Sequence, residues 1–145
     1  FYEPDKDPYP LLGHVEDASN MIHQAMEAWV LEKRIEVILS ENASALPCHL
    51  SMGVAIKKLI KSTGLPVVTH DHDFHWERGQ RYVSAHPEVN KYVDENFPLL
   101  LPDVKHAVIN TFGLKTDLIL MPHWCQMLWI LIVCTVCQRQ RMSFS

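Results

Sequence analysis

The chain has 145 residues, 48% of them hydrophobic and 21% charged, enough for one domain with a real core. A formal charge of −4 and a pI near 6.1 exclude an electrostatic case for nucleic acid. The polar, proline-rich opening Phe1-Tyr2-Glu3-Pro4-Asp5-Lys6-Asp7-Pro8 is not a secretory leader. Cys48 stands alone and Cys125, Cys134 and Cys137 crowd the end, so no disulfide framework is visible and a reducing cytoplasm is the expected setting.

The opening through Gly13 reads as a loop. Asp17-Ala18-Ser19-Asn20 offers cap residues for a helix running to about Arg34, with Met21, Ile22, Ala25, Ala28 and Trp29 expected on its buried face. Ile35 to Leu39 reads as a buried strand that ends at Ser40-Glu41-Asn42. A loop containing Pro47 follows. Leu50 to Ser62 repeats apolar residues at helical spacing, and Gly64 stops that helix. Pro66 to Thr69 is the next strand. Pro87 to Glu95 is a short helix with proline suited to its first turn. Val104 to Ile109 is a third strand, and Asn110-Thr111 can cap a further helix.

Helices alternating with short apolar strands predict an α/β layer with a parallel sheet. Ligands of such sheets bind beyond the carboxyl ends of the strands. Three strand ends carry polar residues here: Ser40-Glu41-Asn42, His70-Asp71-His72-Asp73 and Asn110-Thr111. In a parallel sheet all three point to one edge. The densest chemistry is the run Thr69-His70-Asp71-His72-Asp73-Phe74-His75-Trp76-Glu77-Arg78 directly after the second strand.

Imidazoles and carboxylates at this spacing suggest a metal site, and the run resembles the strand-end H-x-H-x-D-H signature of metallo-β-lactamase-type hydrolases. The pattern departs at its aspartate: Phe74 stands there and the acid has moved to Asp73. That fold also needs β-hairpins, which an alternating chain lacks. Taken singly, Asp71, His75 and Gln80 read as structural, and Glu77-Arg78 as a solvated pair.

The run Pro66 to Arg78 more closely resembles the N-terminal domain of retaining glycosyltransferases of the GT-B architecture, family 4. One subgroup of that family carries a His-Asp-Phe-aromatic-Trp-Glu-Arg run after this strand. Glu41-Asn42-Ala43 with Pro47, Phe97-Pro98 and His106-Ala107-Val108-Ile109-Asn110 match in order, so the resemblance covers roughly Ala18 to Leu120. It implies a Rossmann-like domain that holds the acceptor and faces a second, nucleotide-holding domain across a cleft. A sugar would pass from a nucleotide-sugar co-substrate to an acceptor hydroxyl with retention. No metal or other cofactor is implied. In the family a histidine after this strand reaches the donor, and counting from Pro66 places it at His72. Beside it Asp73 is the second candidate catalytic group, orienting His72 or accepting from the acceptor hydroxyl. Arg78 suits an anionic group, Glu41, Asn42, Glu77 and Asn110 suit substrate hydroxyls, and Trp76 suits an apolar wall or the core.

From Met121 the texture changes. The apolar stretch Leu131 to Cys137 is too short to span a bilayer, and Cys134-Thr135-Val136-Cys137 lacks a redox context. Read one frame over, Trp124/Cys125 forces Val, Trp129/Ile130 forces Asp, and the codons between permit Pro-Asn-Val-Met, the family pattern expected here. Residues 1–120 therefore read as a partial glycosyltransferase domain, and 121–145 as an out-of-frame tail. A chain that opens on Phe1 and enters at a helix reads as a fragment, inactive without the domain holding the donor. The alternatives are a metal-dependent hydrolase using His70, His72 and His75, and a non-catalytic α/β binding module.

Overall fold

A computed structural model gives the fold. The structure describes residues 7–109 and the backbone of a strand at 124–126. Helix α1 (Pro8–Lys33) is followed by β1 (Ile38–Glu41), α2 (Leu50–Thr63), β2 (Val67–Asp71), α3 (Pro87–Asn96), β3 (Val104–Val108) and β4 (Trp124–Gln126). Short 3₁₀ segments at Pro47–His49 and His75–Tyr82 join β1 to α2 and β2 to α3. The four strands lie in the order β1-β2-β3-β4, all parallel, and helices cover the sheet. This is the expected α/β, Rossmann-like parallel sheet flanked by helices.

Helix α1 starts ten residues before the expected cap cluster. Asp7 caps it by accepting from the Tyr9 amide at 3.0 Å, and Pro8 occupies the first turn, where the missing N–H has no partner to lose. The proline pair that reads as a loop is thus a helix start. Its inward face also differs from the expected one. Met21 and Trp29 are exposed, whereas Ser19 and Val30 are buried and Met26 packs on the core. The cause is a polar seam with α2. Lys58 Nζ donates to Glu16 Oε2 (2.7 Å), Ser19 Oγ (2.6 Å) and Asn20 Oδ1 (2.7 Å). Tyr92 of α3 donates to the other Glu16 oxygen at 2.6 Å. The apolar periodicity of α1 therefore does not mark its docked side.

Strand β1 is displaced toward the chain end relative to the expected Ile35–Leu39. Among the described strands it lies at the sheet edge, and Val37 and Leu39 are exposed, unlike the residues of a buried strand. Helix α2 is buried along Leu50, Val54, Ile56, Leu59 and Ile60 and stops at Gly64, whose φ of 65° is the left-handed conformation glycine adopts without strain. Ile56 and Ile60 meet Val67, Val104 and Leu99, which fixes the helix on one face of the sheet. Gly53 is needed where α2 meets Phe97: a Cβ there would lie 2.4 Å from the buried ring.

Strand β2 continues past the apolar run to Asp71, so His70 and Asp71 are strand residues. Its alternation buries Val67, Thr69 and Asp71 and leaves Val68 and His70 partly exposed. Strand β3 ends at Val108, close to expectation. The helix expected after Asn110 lies outside the described residues, as does Asn110 itself. Of 121–145, the structure describes the strand 124–126, which pairs in parallel with β3. Among the described residues no helix is long and apolar enough to cross a membrane.

Candidate functional site

Parallel pairing brings the ends of β1 and β2 together. Glu41 lies opposite His70 in the register. Asn42 follows in the left-handed region (φ 51°), which asparagine tolerates better than most residues. Its amide donates to the His70 carbonyl at 2.9 Å, and its Oδ1 accepts from the His72 amide at 3.1 Å. Asn42 thereby clamps the two strand ends and fixes where the His72 side chain begins.

Glu41 is the hub of this edge. His70 Nδ1 lies 2.9 Å from both carboxylate oxygens, and His72 Nε2 lies 2.6 Å from Oε1. The imidazole rings meet edge to face, 4.8 Å between centroids. The side chains are 35% (His70), 42% (His72) and 55% (Glu41) exposed, so the cluster opens to solvent. The His70 hydrogen bond, more than any other influence, holds the Glu41 carboxyl below its ordinary value.

The residues beyond β2 are committed to shaping the edge. Asp73 forms an ion pair with Arg78, and its Oδ1 is buried with no hydrogen-bond partner among the described residues. Glu77 turns back to accept from the Phe74 amide at 2.8 Å. Trp76 stacks on buried Phe74, 4.7 Å between centroids and 8° from parallel, and packs against the cluster of Ala45, Phe74 and Val108. His75 meets the Trp76 edge and points Nε2 toward Asp94, 3.9 Å away. Burial lowers its pKa against a weaker opposing pull from Asp94.

The structure thus brings Glu41, Asn42 and His72 together, with Asp73, Trp76, Glu77 and Arg78 on the segment that follows. Glu41, not Asp73, holds the His72 ring. The three-histidine grouping does not assemble: His75 faces Asp94, and Glu41 completes the cluster with His70 and His72.

A second polar group lies beneath the edge. Thr69 donates to Asp71 Oδ2 at 2.7 Å, and His106 Nδ1 lies 3.0 Å from the same oxygen and 2.8 Å from Thr69 Oγ1. All three residues are buried, and Asp71 Oδ1 has no hydrogen-bond partner among the described residues. The sequence shows only that Thr69 and Asp71 are two apart; the register that sets His106 beside Thr69 is visible in the structure alone. A separate cleft of about 570 Å³ lies at the start of α2, lined by Cys48, His49, Arg81 and Tyr82 among others, and takes in none of the strand-end cluster.

The fold and this edge define the class: a Rossmann-like α/β layer with a polar cluster at the carboxyl ends of its strands. The chain is 37% identical over 81 residues to a mannosylglucosylglycerate synthase of Thermotoga maritima, a match covering 56% of this chain and 18% of the relative. It is 28% identical over 100 residues to a mannosylglucosylglycerate synthase of Petrotoga mobilis, covering 69% of this chain and 21% of that relative. The chain therefore matches about a fifth of the length of each of these curated relatives. No family model matches it, and no solved structure does.

Proposed function

We propose that this chain forms one wall of a glycosyltransferase cleft, its strand-end edge facing a nucleotide-sugar and an acceptor hydroxyl. The observation that carries the reading is the convergence of Glu41, His70 and His72 at one parallel-sheet edge in a chain similar to two proteins named as mannosylglucosylglycerate synthases. By that likeness the transferred unit is a hexose, mannose being the first candidate, and the acceptor is a glycosylated hydroxy acid.

In this reading the family is the retaining GT-B family 4, and this chain supplies the acceptor-side domain. The acceptor oxygen bonds to the anomeric carbon as the bond to the nucleotide diphosphate breaks, and the acceptor hydroxyl's proton passes to the departing phosphate. Negative charge grows on the departing phosphate oxygen. His72, anchored through Nε2 by Glu41, presents the other side of its ring to that oxygen as a hydrogen-bond donor when protonated. Because Asn42 fixes the His72 backbone and Glu41 its ring, little reorganisation is needed as charge develops. Asp73 and Arg78 position one another, Arg78 being exposed enough to meet an anionic acceptor. Trp76 and Phe74 form the apolar floor, and Glu77, Asn42 and Asn110 complete the substrate contacts. No cofactor takes part, the donor is held by a second domain, and the setting is the cytoplasm.

The test is a segment exchange. Residues 7–109 replace the corresponding part of one of the two synthases, and sugar transfer is measured with and without His72→Ala. The reading expects an active exchange and a loss on the order of 100-fold or more in kcat for the variant, the size typical of removing one donor to developing charge. Equal turnover by both would refute the role of His72.

A further inference from the structure

The strand-end cluster, two of whose members the sugar-transfer reading uses as a hydrogen-bonded pair, also has the composition of a metal site. We infer that Glu41, His70 and His72 bind a borderline transition-metal dication such as Zn²⁺. One carboxylate oxygen, His70 Nδ1 and His72 Nε2 all lie within 4.8 Å of one another. They come from two adjacent strand ends whose spacing is fixed by the Ser40–Thr69 and Glu41–His70 pairing and by the Asn42 clamp. Two imidazoles and a carboxylate form a two-nitrogen, one-oxygen set suited to zinc or ferrous iron and poorly suited to calcium or magnesium, which take oxygen ligands.

Binding requires the side chains to regroup, because the ligand atoms spread over as much as 4.8 Å. Ligand atoms about 2.0–2.2 Å from a tetrahedral ion stand roughly 3.4 Å apart. The two carboxylate–imidazole distances, 2.9 and 2.6 Å, are somewhat shorter than this. These are hydrogen-bond lengths, with a proton on each nitrogen where the metal would sit. The ion replaces those protons, and the half-exposed side chains can open to admit it. Both histidines are on the same side of the chain because they are two apart at the end of a strand. His75, five residues from His70 and in the 3₁₀ segment, is turned away toward Asp94. Three protein ligands leave a coordination position open to solvent.

The proposal does not depend on sugar transfer, because its readout is the metal itself. The experiment is a calorimetric titration of the full 145-residue chain with Zn²⁺, its four thiols alkylated so that cysteine ligands do not compete. Circular dichroism confirms that each variant is folded. One equivalent is expected to bind to the unsubstituted chain. His70→Ala and the nearly isosteric Glu41→Gln should each weaken binding by about 10-fold or more, at least the effect of losing a supporting contact to a ligand. His75→Ala should leave it unchanged. Absence of saturable binding overturns the site. So does binding that Glu41→Gln and His70→Ala leave intact, or that His75→Ala weakens as much as they do.

Discussion

Strand β2 joins two imidazole–carboxylate arrangements, one shared with β3 and one with β1, and their surroundings differ. On the helix-packed side, His106 and Asp71 lie 3.0 Å apart with side chains 5% and 1% exposed. At the strand-end edge, His70 and His72 share Glu41 in the open. The residue types are the same, so the surroundings decide the role. A buried pair needs each partner, because losing one strands the other away from water. An exposed cluster contributes little to stability, since water solvates its members when they separate. It can therefore exchange one partner for a ligand. The comparison assigns the inner group to holding β2 against β3, and the outer group is the one that the proposed function uses.

The largest expected effect breaks the inner group. Asp71→Ala removes the acceptor that His106 and Thr69 share and should cost about 2–3 kcal/mol in urea unfolding. A loss below about 1 kcal/mol would mean the inner pair is no more structural than the outer one. Next is the packed side itself. Gly53→Ala places a methyl against the Phe97 ring and should destabilise the fold by roughly 1–3 kcal/mol. A neutral result would show that Phe97 has room to move.

The pH dependence probes the segment that follows β2, where His75 lies between Trp76 and Asp94. Burial lowers the pKa of His75 below its ordinary 6.5, so the unfolded chain takes up a proton before the folded one does. That contribution is complete above pH 6.5 and is lost as pH falls toward the folded value. The lowered carboxyls add a second loss at more acid pH, Glu16 held chiefly by the Lys58 hydrogen bond and Glu41 by that of His70. Urea midpoints should therefore fall between about pH 7 and pH 5. His75→Gln should flatten that first decline, and an unchanged slope would assign it elsewhere. The smallest effect is Glu41→Gln, expected to change stability by only ~0–1 kcal/mol despite the two contacts of Glu41. A penalty approaching that of Asp71→Ala would erase the distinction between the groups.

The fold was legible where periodicity and punctuation agree. Helix α2 repeats apolar residues and ends on Gly64, α3 opens on Pro87, and the parallel alternation follows from the element order. The start of α1 was hidden because Pro8 and Pro10 signal a loop and a first helical turn equally well. Its docked face was hidden because Lys58, Glu16 and Ser19 form the seam, and apolar spacing cannot report a polar contact. The edge position of β1 depends on which strands pair, which local sequence does not encode. At the site, strand ends placed Glu41, Asn42 and His72 together as expected. The end of β2 was harder to read, since Thr69, His70 and Asp71 lack the apolar character of Val67 and Val68. Once the strand reaches Asp71, alternation sends Asp71 inward and His70 outward, the Asn42 clamp sets His72 beside it, and His75 falls in the 3₁₀ segment.

The central claim is that the outer group serves sugar transfer while the inner one serves the fold. Turnover of the segment-exchanged synthase carrying His72→Ala tests it most directly, with unfolding measured on the same sample. The account predicts a loss of about 100-fold or more in kcat with the unfolding midpoint essentially unmoved. Unchanged turnover, or a loss that follows the unfolding of the protein, would contradict it.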